Sequence, residues 1–125
     1  MKDAIVAVIQ KDAKFLFIRR APGVEGANHW CPVSGKVEPE EEQADTVERE
    51  VFEEVSLKVK AVAKVWECKS SCGNYFLHWW TTKLIDEQVK INSPEVAEVR
   101  WLSLKEINQL DCTFPSDIYF FNHVI

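Results

Sequence analysis

The sequence has no apolar run that could cross a bilayer: stretches such as Ala4–Ile9 fall far short of the roughly 20 residues a spanning helix needs. Met1-Lys2-Asp3 opens no convincing signal peptide, so a cytoplasmic protein with no membrane partner is the expectation. It also has no basic stripe. Fifteen Lys and Arg stand against twenty Asp and Glu, for a formal net charge of −5, which argues against long nucleic acid or an anionic membrane as partner. Repeats, low-complexity segments and linkers are missing, and 125 residues are too few for two independent cores, which leaves one domain over residues 1–125. The four cysteines (Cys31, Cys68, Cys72, Cys112) have no secretory context, so reduced thiols are expected. Cys68 and Cys72 are spaced as a zinc half-site, but no second Cys/His pair lies nearby to complete it.

What is present reads as an ordered alternation of strands and helices. Ala4–Gln10 is a buried strand by its Ile, Val and Ala content, and a turn at Lys11–Lys14 returns the chain as Phe15–Arg20. Ala21–His29, with two glycines and a proline, is a loop. Trp30–Val37 is a short strand, followed by a loop at Glu38–Glu42 and a helix over Gln43–Val55. Leu57–Glu67 and Tyr75–Leu84 form a hairpin, in which Trp79 and Trp80 must face opposite sides. Val96–Leu102 is a further strand, and Ser103 with Glu106 forms a capping box for a short helix to about Leu110. Pro115 opens a last helix as an N1 residue, returning Ile118, Phe121 and Val124–Ile125 to the body. This order gives an α/β or α+β domain with helices on a mixed sheet.

The helix over residues 43–55 carries the chemistry. Ala44, Val47, Val51 and Val55 recur at steps of three or four and form a buried stripe. Glu50 lies one helical step from both Glu53 and Glu54, so three carboxylates crowd together, at a cost of roughly 0.2–0.5 kcal/mol per like-charged pair. A solvated acidic face is the bland explanation; a hard divalent cation with oxygen ligands is the functional one. Upstream, Gly35 is followed after five residues by Glu41 and after seven more by Arg49-Glu50-Val51, then Glu53-Glu54 and Leu57. This segment, residues 35–57, resembles the Nudix box, G-x5-E-x7-R-E-U-x-E-E-x-G-U with U aliphatic, and matches eight of its nine defined positions. The departure is Ser56 in place of glycine just past the helix, which costs about 1 kcal/mol if the left-handed conformation is kept.

The resemblance implies an α/β/α sandwich with a mixed sheet and hydrolysis of a pyrophosphate bond in a nucleoside diphosphate linked to another group. It implies Mg²⁺, with Mn²⁺ as a possible substitute, in a site comprising Gly35, Glu50, Glu53 and Glu54. Arg49, Glu53 and Glu54 are the catalytic residues it implies within the box. The general base varies within the family, and Glu54, Glu95 and Glu98 are the candidates here, with Glu98 placed in the catalytic set.

Substrate contacts are expected from Arg19 or Arg20 at the end of the second strand, from Lys36 after the box glycine, and from His29 and Trp30 at the mouth of the loop. Phe114–Asp117 resembles the segment with which MutT-like members read a base, making Asp117 a candidate for that role. The short chain favours a MutT-like nucleoside triphosphate pyrophosphohydrolase, acting on a small nucleotide as monomer or homodimer. ADP-ribose, a nucleotide sugar or a dinucleoside polyphosphate is the alternative substrate, and a non-catalytic nucleotide-binding module is the rival from another class.

Overall fold

The computed structural model describes residues 1–125. In chain order the elements are β1 (Lys2–Val8), β2 (Gln10–Lys11), β3 (Lys14–Arg20), β4 (Trp30–Cys31), β5 (Val33–Lys36), α1 (Gln43–Val55), β6 (Lys58–Lys69), β7 (Tyr75–Asp86), β8 (Val96–Ser103), α2 (Leu104–Asn108) and α3 (Pro115–His123).

The strands divide between two four-stranded sheets, and the mixed sheet expected is one of them. One has the order β5-β1-β7-β6; the other has β3 between β2 and β4, with β8 also paired to β3. In the first sheet β1 runs parallel to β7 and antiparallel to β5, so this sheet is mixed. Pro32 makes part of the division. With no N–H to give to a ladder, it interrupts the expected Trp30–Val37 strand. Trp30 and Cys31 pair with Arg19 and Ile18 in one sheet, and Val33–Lys36 pair with β1 in the other.

Strand β1 is buried from Ala4 to Val8, which explains its unbroken apolar sequence. Ile5 and Ala7 join the core beneath α1, with Val47, Val51 and Val55 of the helix stripe all fully buried. Val6 and Val8 face the opposite way, into a second core with Phe17, Ile107, Phe120 and Phe121. The result is helix, sheets, helix. The tryptophan pair spans both layers. Trp79 is fully buried in the second core, stacked on Phe120 at 4.2 Å, while Trp80 packs against the first and donates from Nε1 to Gln43 Oε1 at 3.0 Å. The two rings therefore face opposite sides, Trp79 fully buried and Trp80 half-buried.

The helix ends follow local chemistry. The Ser103–Glu106 capping box is formed at α2, and Pro115 occupies the first turn of α3. On α3, Phe120 and Phe121 carry the burial, Ile118 and Val124 pack at its margin, and Ile125 remains half exposed. No helix is long and apolar enough to cross a membrane.

At the end of α1, Ser56 has φ of 62° and closes the helix with its N–H on Phe52 O at 3.0 Å. The left-handed cap is thus retained without the glycine that adopts it without strain. Ser56→Gly relieves that strain but frees the unfolded chain, so a net gain of about 0.5–1 kcal/mol in unfolding free energy by urea titration is expected.

Candidate active site

The segment joining β5 to α1 is built around one guanidinium. Arg49 donates from Nε and Nη2 to the two oxygens of Glu41 at 2.8 and 2.9 Å, a bidentate pair. Its Nη1 donates to Glu50 at 2.8 Å and to Glu53 at 3.1 Å, and Nη2 also reaches Lys36 O at 3.1 Å. Glu41 additionally accepts from Thr46 Oγ1 and from the Glu38 N–H. These donors, the Arg49 guanidinium first, hold the Glu41 carboxyl well below its usual range, at about 2, and Glu41 in turn raises Arg49. Glu41 is therefore a fixed partner of Arg49. Arg49 collects Glu41, Glu50 and Glu53 and does not reach Glu54.

Gly35 is extended rather than left-handed; what it supplies is room. A Cβ there would overlap the Glu50 carboxyl and its Cγ. Glu50 can lie against β5 only because residue 35 has no side chain. Burial raises the Glu50 pKa, against the lowering influence of Arg49.

Glu54 lies on the inward side of the helix and is only 6% exposed. Its Oε2 is buried with no hydrogen-bond donor, and burial followed by the Glu50 charge pushes its pKa up to about 8. A buried acceptor left without a donor is costly, and a divalent cation would satisfy it. No three acidic or histidine side chains stand as a preformed cage, because Glu50 and Glu53 are turned toward Arg49. The donor set (three carboxylates within two turns, one of them orphaned) nevertheless fits a hard divalent cation.

Glu54 opens onto a cavity of about 430 Å³. Its walls include Arg20, Lys36, Glu95, Tyr75, Phe114 and Asp117, with Cys31 buried in the lining. Glu95 comes from the loop before β8. That loop is tied to α1 through Asn92 N–H on Glu54 O and Lys90 N–H on Val55 O, and Glu95 O accepts from Ala21 N–H at 2.8 Å. Arg20 donates from Nε to Glu25 O at 2.7 Å, and Gly26, at φ of 72°, lets the 21–29 loop lie against Arg20 and Phe114. Lys36 Nζ stands over the Tyr75 ring at 5.5 Å. Asp117 is 4% exposed at the start of α3, and burial pushes its pKa up to about 7 despite a hydrogen bond from Ser116. Burial also raises the Cys31 thiol, with the charges of Asp117 and Glu54 adding to the rise, so Cys31 sits within the field of both.

The structure brings together Gly35, Lys36, Arg49, Glu50, Glu53 and Glu54; of these Lys36 and Glu54 line the cavity, which Asp117 shares, and Gly35, Arg49, Glu50 and Glu53 lie outside its lining. Arg19, Glu98 and Trp30 are not in its lining. Arg19 and Glu98 are opposite each other in the β3–β8 register, and Arg19 Nε and Nη2 both meet Glu98 Oε1, at 3.0 and 2.9 Å, with Arg100 on the other Glu98 oxygen at 3.2 Å. Trp30 lies under the Arg100 guanidinium at 5.2 Å. Successive strand residues face opposite sides, so the arginine in the cavity is Arg20 and not Arg19. Period two from buried Ile18 signals this in the sequence, although a register shift between Arg19 and Arg20 blurs it. His29 stacks flat on Phe114 at 4.3 Å and backs that ring. Tyr75 and Cys31 carried no sequence signal for the site, because only sheet pairing and the Pro32 break bring them to it.

Two outcomes follow from this geometry. Gly35→Ala forces Glu50 or β5 to move, so a loss of about 1–3 kcal/mol in urea unfolding is expected, with turnover falling as well. Asp117 keeps its proton in the folded chain to about pH 7, whereas the unfolded chain releases it near the ordinary carboxyl value of 3.8. Between those values the unfolded state binds fewer protons, so this residue makes stability fall as pH rises. Melting temperatures from pH 4 to 8 should show that decline in the native chain and a shallower one in Asp117→Asn.

The family model described as the NUDIX domain matches residues 1–124. A CTP pyrophosphohydrolase of Escherichia coli is 26% identical over 118 residues, covering 94% of this chain and 87% of the relative. The asymmetrical bis(5'-nucleosyl)-tetraphosphatase of Mus musculus is 29% identical over 105 residues, covering 78% and 69% respectively. Among solved structures, a MutT NUDIX hydrolase from Burkholderia pseudomallei superposes with a TM-score of 0.85 over 99% of this chain and 98% of that one, at 18% identity. The chain belongs to the NUDIX family, as a small MutT-like hydrolase acting on pyrophosphate bonds.

Proposed function

We propose that this protein hydrolyses a nucleoside triphosphate to the monophosphate and pyrophosphate, using Mg²⁺ with Mn²⁺ as a substitute. The observation that carries the reading is Glu54: a buried carboxylate oxygen without a donor, opening onto a cavity that also contains Asp117 and Phe114. Glu50, Glu53 and Glu54 would hold the cation. Bound there, it would keep Glu54 ionised, offset charge on the phosphates and acidify a water for in-line attack.

The rest is the work of the chain itself. Arg20 and Lys36 are the cavity's cationic side chains and suit the phosphate oxygens. Glu95 shares the cavity with Glu54, near enough for its charge to raise the Glu54 pKa, and it takes the role of proton acceptor from the attacking water. Glu98, already paired with Arg19, is not used here for that role. Phe114, backed by His29, offers a face for the base, and Asp117 offers a buried carboxyl for a ring or exocyclic N–H.

The cavity volume is near the lower end for small-ligand sites, which favours one nucleoside over two. The similarity to a CTP pyrophosphohydrolase puts cytidine triphosphates first among the substrates to try. Dinucleoside polyphosphates form the second arm, because the murine relative is named for cleaving them. ADP-ribose and nucleotide sugars form the third.

The test is incubation with Mg²⁺ and this panel, with products resolved by chromatography. Nucleoside monophosphate and pyrophosphate from a triphosphate are expected; tight nucleotide binding with no turnover of any compound would leave a binding module instead. Glu54→Gln should lower kcat by about 10²–10⁴-fold, and Glu53→Gln should also reduce it strongly. Glu95→Gln should fall by about 10²-fold or more while Glu98→Gln stays within about threefold of the native rate. The reverse order for Glu95 and Glu98 would move the base to Glu98.

A further inference from the structure

We infer that Arg49 is the stand-in cation of the metal-free site and that it exchanges partners when a metal binds, giving up Glu50 and Glu53 while keeping Glu41. This rests on the metal reading of the glutamate cluster and adds to it what the metal-free protein does with the carboxylates.

The division is written in the hydrogen bonds. Glu41 is held through two separate nitrogens, Nε at 2.8 Å and Nη2 at 2.9 Å, and is fastened independently by Thr46 Oγ1 at 2.7 Å and the Glu38 N–H at 3.1 Å. It sits on the loop before α1, off the helix surface that carries the cluster. Glu50 and Glu53 are held differently. They share the single nitrogen Nη1, at 2.8 and 3.1 Å, and no other side chain is bonded to either carboxylate. Glu54 is not reached by the guanidinium, and its Oε2 has no donor.

One nitrogen serving two carboxylates is a weaker tether than a bidentate pair, and a divalent cation attracts both carboxylates more strongly than half a guanidinium each. Glu50 and Glu53 are therefore the exchangeable partners and Glu41 the permanent one. The arrangement also explains how Glu50 and Glu53 coexist on one helix without a metal, and why no three carboxylates converge as a cage. Retained by Glu41 and by Lys36 O, the guanidinium cannot swing away when Nη1 is released. It stays as the positioning residue that fixes the loop against the helix.

The side chain itself can be watched. In the whole chain labelled at arginine, titration with MgCl₂ should leave the Arg49 Nε proton shifted and protected by Glu41, while the Nη1 protons exchange with solvent about tenfold faster or more, as expected for loss of two charge-assisted bonds. Calorimetry gives the second readout. Arg49→Lys preserves the charge but replaces the fork by a point donor that cannot serve Glu41, Glu50 and Glu53 together. It should lower the metal-free melting temperature and bind Mg²⁺ about 3–10-fold more tightly, because less competition must be displaced. If native protein shows a Mg²⁺ isotherm but the Nη1 protons remain protected, or if Arg49→Lys binds Mg²⁺ more weakly, the exchange is refuted and Arg49 serves only to preorganise the ligands. If the native chain shows no Mg²⁺ isotherm, the metal reading itself fails and the exchange with it. Should the lysine variant not fold, the native-chain spectra decide alone.

Discussion

Glu41, Glu50 and Glu53 crowd together at the end of one loop and on one helix, and the cation that gathers them is Arg49. Its guanidinium is the common partner of Glu41, Glu50 and Glu53 and also bonds the carbonyl of Lys36. The loop, the strand β5 and the helix α1 therefore converge on one side chain. Gly35 completes the arrangement by leaving space for the Glu50 carboxyl against the strand. Glu54 lies outside Arg49's reach, and its Oε2 has no donor. The fold satisfies three charges internally and leaves the fourth buried, raised in pKa and open to the cavity.

The cavity extends that logic to the substrate. It contains acidic groups at two places, Glu54 with Glu95 and Asp117 near Phe114, and cationic groups in Arg20 and Lys36. Cys31 lies within the field of both Glu54 and Asp117. In the function proposed above, an acidic protein would hold an anionic nucleotide through a bound cation and the two basic side chains rather than through a broad positive surface. Strand β1 joins the two layers, its alternate residues entering the core under α1 and the core under α3.

Particular residues show what could and could not be read along the chain. The bounds of α1, its buried Val47–Val51–Val55 stripe and its glutamate spacing were legible because helical periodicity is local. The left-handed Ser56 and the Ser103 capping box were legible for the same reason. The mixed character of the sheet was legible, but its division in two was not fully so, because Pro32 interrupts a strand locally while the partner of each half is a long-range matter. Arg19 and Glu98 looked equivalent to Arg20 and Glu95 in sequence. They proved to be partners across β3 and β8, occupied with each other and outside the cavity.

The sequence by itself determined the class of chemistry. Gly35, Glu41, Arg49, Glu50, Glu53 and Glu54 lie within twenty residues, and a loop and one helix suffice to gather them. Only the tertiary structure decided which carboxylate is orphaned, which arginine enters the cavity, and that Asp117, sixty-three residues after Glu54, shares that cavity with it. The reason is physical. Spacing along a helix fixes neighbours within a turn or two, whereas burial, strand register and the closing of a cavity between β1, the 21–29 loop and α3 depend on contacts between distant segments.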